Sequence, residues 1–238
     1  MAFFATVVTF SACSGSDDDN PTPPAANLSI YVDDSVKVGT GASVDNKFVA
    51  YSSKGYLYGF HVGETTYTVN GSTAKVVVKG KYNALDVVTD WGISPTQLKA
   101  KVKAKPETEQ TLDNGDYMIA YQKIGRANLL GYIFKNNKLV FVGANSSPTY
   151  QEEIVNYLKE RYIFSPEQID DHTFAGVDGL DEAHIKTYVT VGIETDNKYD
   201  YMLQTCFMST ELIKPESKQL KAQMSKMMQS MPRMAQPK

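Results

Sequence analysis

The sequence predicts two modules in tandem: an all-β sandwich, then an α+β domain with an antiparallel sheet. Three observations predict this. Between residues 27 and 80, short runs rich in β-branched and aromatic residues alternate with Gly, Asn, Asp and Ser, the pattern of short strands and tight turns in a sandwich. From 82 onward the apolar runs lengthen and helix-start signals appear between them. The tripeptide Ser-Pro-Thr at 94–96 returns at 147–149, each time ahead of a helical pattern and then of strands, so residues 82–209 read as two helix-βββ repeats.

Composition sets the outer limits. The chain has 238 residues, 42% hydrophobic and 21% charged, with a net charge of -3, which is ordinary globular material with room for two domains. With 24 basic against 27 acidic residues there is no cationic run to track phosphates, and no nucleic-acid partner is expected. Two cysteines, Cys13 and Cys206, exclude a disulfide framework.

The chain opens on an apolar segment that is too short to span a membrane. Residues 1–12 are apolar or small, where a spanning helix needs ~20 residues, and they read as the remnant of a signal peptide. Residues 13–26 follow as a tether: Asp17, Asp18 and Asp19, then "NPTPPAAN", whose prolines favour an extended polyproline II spacer. "TFSAC" resembles the lipobox of bacterial lipoproteins through Ser11, Ala12 and Cys13, with Phe10 where Leu is usual. "CSGSDDD" is similar to the acidic export signal of Bacteroidetes-type surface lipoproteins. These resemblances imply a lipid on Cys13, a membrane partner through that anchor, and a surface-exposed place on the cell outer membrane. No Lys or Arg precedes the apolar run, which would put the true start of the leader upstream. A disordered terminus with a chance cysteine is the alternative.

In residues 27–80 the strand candidates are "LSIYV", "KFVAYSS", "YLYGF", "TTYTV" and "AKVVVKG". The stretch "FVAYSSKGYLYGFHVGETTYTVNGSTAKVVVKG" resembles the second half of a bacterial Ig-like domain (group 2), through Val49, Ala50, Ser53, Gly55, Gly59, Val62, Gly63, Thr65, Thr66 and Val69. That resemblance implies an Ig-like sandwich, short for its family, with an early strand missing or irregular. In the family's alternation Leu57 points inward and Tyr56 and Tyr58 outward, either as a ligand-binding surface or as rings covered by a neighbouring domain. His61 is expected at the surface. Asp34-Ser35-Val36 resembles the O-glycosylation signal of the same bacterial group, which makes Ser35 a candidate glycosylation site.

Past Gly80, "YNALDVVTDWG" is a strand or connecting segment in which Trp91 packs at the seam. Ser94, Pro95 and Gln97 form a helix start with a capping box,. "DYMIAYQK", "LLGYIFK" and "KLVFVGA" follow as strands, the last two joined at Asn136-Asn137, a tight hairpin signal. In the second copy, Ile154, Val155, Leu158 and Tyr162 make a buried helical face,. "HTFAGV", "HIKTYVTVGIE" and "KYDYMLQTCFM" are its strands, with a turn at Asp196-Asn197. Tyr199, Tyr201, Leu203 and Phe207 line one side of the last strand, while Met202, Cys206 and Met208 share the other with Asp200 and Gln204, and a face with that much soft apolar surface needs cover. The arrangement is similar, in topology only, to the tandem repeats of the beta-lactamase inhibitory protein type. In the tail, 210–238, Leu220, Met224, Met227 and Met231 fall on one helical stripe. That stripe docks on the sheet, serves as an adaptable partner-binding or disordered tail, or, with Met228 and Met234, offers thioethers to Cu(I).

Catalytic constellations are tested by elimination. His172, His184 and Cys206 are the only candidates for a cysteine nucleophile and its base, and Cys206 sits inside a strand pattern,. The acidic loop with Asp170, Asp171, Asp178, Asp181 and Glu182 lacks EF-hand spacing,. No phosphate loop, zinc spacing or nucleophile elbow occurs,. The expectation is a monomeric, non-catalytic binding or adhesion module for an extracellular glycan or protein, with no catalytic residue, metal or cofactor. The alternative is an inhibitor or immunity-type protein whose repeat domain blocks an enzyme. An inhibitor should present a concave aromatic face on the second domain, an adhesin a patch on the first.

Overall fold

The structure, a computed structural model, describes residues 25–170, 173–195 and 201–210. The leader, Cys13, most of the tether, the Asp196-Asn197 turn and the Met-rich tail lie outside the described residues. Among the described residues no helix is long and apolar enough to cross a membrane.

The N-terminal module contains β1 (Leu28–Tyr31), β2 (Ser35–Lys37), β3 (Ser43–Val44), β4 (Ala50–Ser53), β5 (Tyr56–Gly59), β6 (Gly63–Val69) and β7 (Ser72–Lys79). They form a four-stranded sheet, β1-β7-β6-β3, and a three-stranded sheet, β2-β5-β4. Pairing is antiparallel except for β1 on β7, which is parallel. Leu57 from the smaller sheet and Tyr67, Val69, Val76 and Val78 from the larger share one buried cluster with Val38, Val44, Phe48 and Val49. The early part of the module is irregular: β2 and β3 are short and carry one apolar residue each, too few to show an alternation.

The second module begins with an irregular segment in which Ala84 and Leu85 are buried. Trp91 packs against the second core and its indole N–H donates to Thr187 Oγ1 at 3.0 Å, so it is a packing residue at the start of the second module, as the sequence predicts, and its contacts lie within that module. Helix α1 (Pro95–Lys101) has the expected cap: Ser94 Oγ accepts from the Gln97 N–H, and the Gln97 side chain accepts from the Ser94 N–H. Then come β8 (Thr108–Thr111), β9 (Tyr117–Ile124), β10 (Ala127–Lys135) and β11 (Lys138–Ser146). Asn136 and Asn137 take φ of 50° and 62°, the left-handed pair that a tight hairpin requires. A 3-10 turn at Pro148–Tyr150 leads into α2 (Gln151–Lys159), followed by β12 (Ile163–Asp170), β13 (Thr173–Val177), β14 (Thr187–Thr195) and β15 (Tyr201–Ser209).

These eight strands make one antiparallel sheet, β12-β13-β14-β15-β11-β10-β9-β8. Each helix is therefore followed by four strands rather than the three that the sequence predicts. The two extra strands are the outermost ones, and that is why they were hidden. β8 reads Thr-Glu-Gln-Thr, and β12 contains a proline and breaks register against β13; polar residues, proline and irregular pairing belong on sheet edges.

The α2 face also differs by one position. Ile154, Tyr157 and Leu158 are buried while Val155 is half-buried, since at 3.6 residues per turn Tyr157 and Val155 flank the line through Ile154 and Leu158 on opposite sides, and the second core lies on the Tyr157 side. Both helices pack on one face of the sheet, where Leu98, Ile154 and Leu158 meet Tyr121, Tyr132, Phe134, Leu203 and Phe207. Met118, Ile133, Val140, Phe141, Cys206 and Met208 form a separate buried cluster. On β15, Leu203 and Phe207 thus go to one cluster and Cys206 and Met208 to the other, as their alternation predicts. The modules touch: the Val62 N–H donates to the Glu160 carbonyl at 2.8 Å, and Ile163 packs against the N-terminal core.

Candidate functional site

Strand β5 builds the site through its alternation. Leu57 is fully buried, which turns Tyr56, Tyr58 and the following Phe60 to the outside; Tyr56 and Phe60 are exposed and Tyr58 is half-buried. The β4–β5 hairpin turns at Lys54-Gly55, with φ of 49° and 80°, and so pairs Tyr51 with Tyr58 and Ser53 with Tyr56. On the other side, β2 pairs Ser35 with Tyr58 and Lys37 with Tyr56. Directly opposed residues share a face of the sheet.

The result is a continuous aromatic strip across the outside of the three-stranded sheet. The Tyr51 and Tyr58 rings stack with centroids 5.0 Å apart and planes 9° from parallel. Tyr56 lies 6.4 Å from Tyr58, and Phe60 meets Tyr51 edge-on at 6.0 Å. Exposed apolar area gathered in one place, rather than scattered singly, marks an interaction surface. The sequence reading named Tyr56 and Tyr58 but missed Tyr51 and Phe60. Tyr51 lay within reach, since it follows the buried Ala50 in "VAYSS", but only the hairpin register brings it onto Tyr58.

His61 is not at the surface. It is 4% exposed, stacks on Phe48 at 4.1 Å with planes 6° apart, and donates from Nδ1 to the Phe48 carbonyl at 2.8 Å. Phe60 covers it from outside at 4.2 Å. Sequence offered no partner because Phe48 is on the far side of the β4–β5 hairpin. Burial is the main cause that lowers its pKa, with the Phe48 carbonyl opposing.

At the Tyr51 end of the strip a cleft of about 340 Å³ opens, lined by Ala42, Ser43, Val44, Lys47, Tyr51 and Ser52. The Ser52 hydroxyl donates to the Ala42 carbonyl, and Ser43 and Lys47 are the exposed polar residues of the lining. Ser35 is exposed on β2, one strand away from this row and opposite Tyr58. Asp34, before it, pairs with Lys81 at 3.4 Å.

Compared with family models, curated proteins and solved structures, the chain matches none.

Elsewhere the polar groupings are small. Glu109 accepts from Lys99 at 2.7 Å and from the Tyr117 hydroxyl at 2.5 Å; these bonds hold its carboxyl below the ordinary range, and the bond to Glu109 pushes Tyr117 up to about 12. In the acidic loop, Asp181 bonds His184 Nδ1 at 2.7 Å, and Asp178 accepts the N–H groups of Lys186 and Thr187. Those loop carboxylates therefore serve the local turn. Cys206 is buried in β15. Among the described residues no three of His, Cys, Asp and Glu converge as metal ligands.

Proposed function

We propose that this chain is a surface-exposed lipoprotein of the outer membrane that binds an extracellular glycan or protein without catalysis, held to the membrane by a lipid on Cys13. Its N-terminal module is an Ig-like domain that carries the binding surface. Its second module is a tandem of helix-plus-meander repeats, each of four strands, and acts as the rigid body behind it. The observation that carries this reading is the strip of Tyr51, Tyr56, Tyr58 and Phe60. Tyrosine and phenylalanine in that number on one open sheet face give a large, stiff contact area at low entropic cost, with hydroxyls at its edge.

The inhibitor reading asks for exposed aromatics on the large sheet. On that sheet Tyr121, Tyr132, Phe134, Phe141 and Phe207 are buried, Tyr117, Phe164 and Tyr188 are half-buried, and Phe174 is exposed, whereas the small sheet of the first module gathers Tyr51, Tyr56, Tyr58 and Phe60 in mutual ring contact, which favours the N-terminal surface. The test is a glycan array and a surface-protein pull-down with the intact chain, repeated with Tyr56→Ala/Tyr58→Ala. Loss of two contact rings should weaken a bound ligand at least about tenfold, or about 1.4 kcal/mol. Undiminished binding by the double variant, or no ligand in either screen, overturns the proposal.

A further inference from the structure

We propose that the cleft beside Tyr51 is a subsite for a carboxylated sugar, a uronic-acid residue within an extended glycan chain. This rests on the binding role just proposed and names its ligand class.

Three features converge there. The first is size and chemistry: about 340 Å³ lined by one tyrosine, two small apolar residues, two serines and a lysine. That volume is at the small end of ligand pockets and suits one or two sugar rings rather than a protein element. A pyranose has an apolar C–H face and a polar rim, and Tyr51 with Ser43 and Lys47 offers the matching surfaces.

The second is charge. Lys47 lines the cleft, Lys37 is opposite Tyr56 across the β2–β5 ladder, and Lys54 is in the turn before it. Among the described residues none of these three ammonium groups has an ion-pair partner. The carboxylate nearest to Lys47 in sequence, Asp45, accepts from the Thr66 hydroxyl and, among the described residues, makes no ion pair with Lys47. Cations thus flank the strip at both ends, an arrangement that attracts an acidic chain and repels a basic one.

The third is alignment. Tyr51 belongs both to the cleft and to the stacked pair with Tyr58. A sugar seated against Tyr51 with its carboxylate on Lys47 would send the rest of its chain along Tyr58 and Tyr56 toward Lys37 and Lys54.

The experiment uses calorimetric titration of the intact chain with a galacturonate tetramer and with its fully methyl-esterified form, which keeps the sugar faces and removes the charge. The tetramer should bind at least about tenfold more tightly than the ester. Lys47→Gln should shrink that preference at least about threefold, and Tyr51→Ala should weaken both saccharides. Lys47 is exposed, so its variant should keep the melting temperature of the parent. Equal affinity for acid and ester, or a preference undiminished by Lys47→Gln, overturns the uronate subsite but leaves the aromatic binding surface standing. Binding of a protein ligand alone, with neither saccharide bound, overturns the subsite too, whereas a chain that binds nothing in the array or the pull-down fails at the earlier step.

Discussion

The Glu160 carboxylate, at the end of α2, accepts the backbone N–H of Lys81 at 2.7 Å, and its second oxygen accepts that of Tyr82 at 3.1 Å. Lys81 and Tyr82 follow Gly80, the first residue after β7, so a side chain of the second module fixes the exit of the first. Glu160 is 6% exposed, and Arg161 beside it donates to its Oε2 at 3.4 Å while lying 3.8 Å over the Tyr157 ring. Gly80 belongs to the same arrangement, because a Cβ there would sit 2.6 Å from Glu160 Oε2.

Glu160→Gln should therefore loosen the junction. An amide keeps one acceptor but turns an N–H₂ toward a backbone N–H, and hydrogen bonds to a charged group contribute about 1.5–3 kcal/mol. The expected result is a lower denaturation midpoint and faster proteolytic cleavage near 80–82. A variant with unchanged melting and unchanged cleavage would show that the carboxylate does not couple the modules.

Acid should weaken the N-terminal module through His61. Its folded pKa lies below the ordinary 6.5 because burial disfavours the charged ring, so the unfolded chain takes up a proton more readily. Stability is unaffected above pH 6.5 and falls as the pH drops below it. His61→Phe keeps the stack on Phe48 and removes the titration. Denaturant melts at pH 7.5 and 5 should show a smaller acid loss in His61→Phe than in the parent; equal losses would refute the assignment.

Two buried tyrosines in the second core should respond oppositely to loss of the hydroxyl. Tyr121 and Tyr132 meet edge to face at 5.9 Å. The Tyr132 hydroxyl accepts from the Val88 N–H at 3.3 Å, whereas Tyr121 Oη has no hydrogen-bond partner among the described residues. Tyr132→Phe should cost about 1 kcal/mol by orphaning a backbone donor, while Tyr121→Phe should be neutral or stabilising. Equilibrium unfolding of both variants decides it.

Gly125→Ala should destabilise the β9–β10 hairpin. Gly125 has φ of 57°, and an added Cβ would fall 2.6 Å from the Ala84 carbonyl oxygen. That carbonyl accepts the Arg126 N–H at 2.7 Å, so it has no freedom to withdraw. A loss of about 1–3 kcal/mol is expected for such strain plus overpacking, read as a drop in melting temperature. Gly115→Ala is the control, with φ of 85° and no atom within 4 Å; equal losses in the two variants would mean that backbone strain alone sets the cost.

Local chemistry was legible in the chain itself. The Ser94 cap with Gln97, the Asn136-Asn137 turn, the inward Leu57 between two outward tyrosines, and the split of β15 between two faces all follow from interactions within a few residues, where side-chain period and turn preference act directly. The charge balance and the recurrence of Ser-Pro-Thr were equally plain. What depended on distant partners was not. β8 and β12 are strands because a neighbour completes their hydrogen bonds, so their polar sequences carry little signal of their own. His61 is buried because Phe48 and Phe60 close over it, and Glu160 is a junction residue because the chain end of another module arrives beside it. The aromatic strip has the same origin: Tyr51 and Tyr58 are seven residues apart in sequence, and only the register of an antiparallel pair stacks their rings.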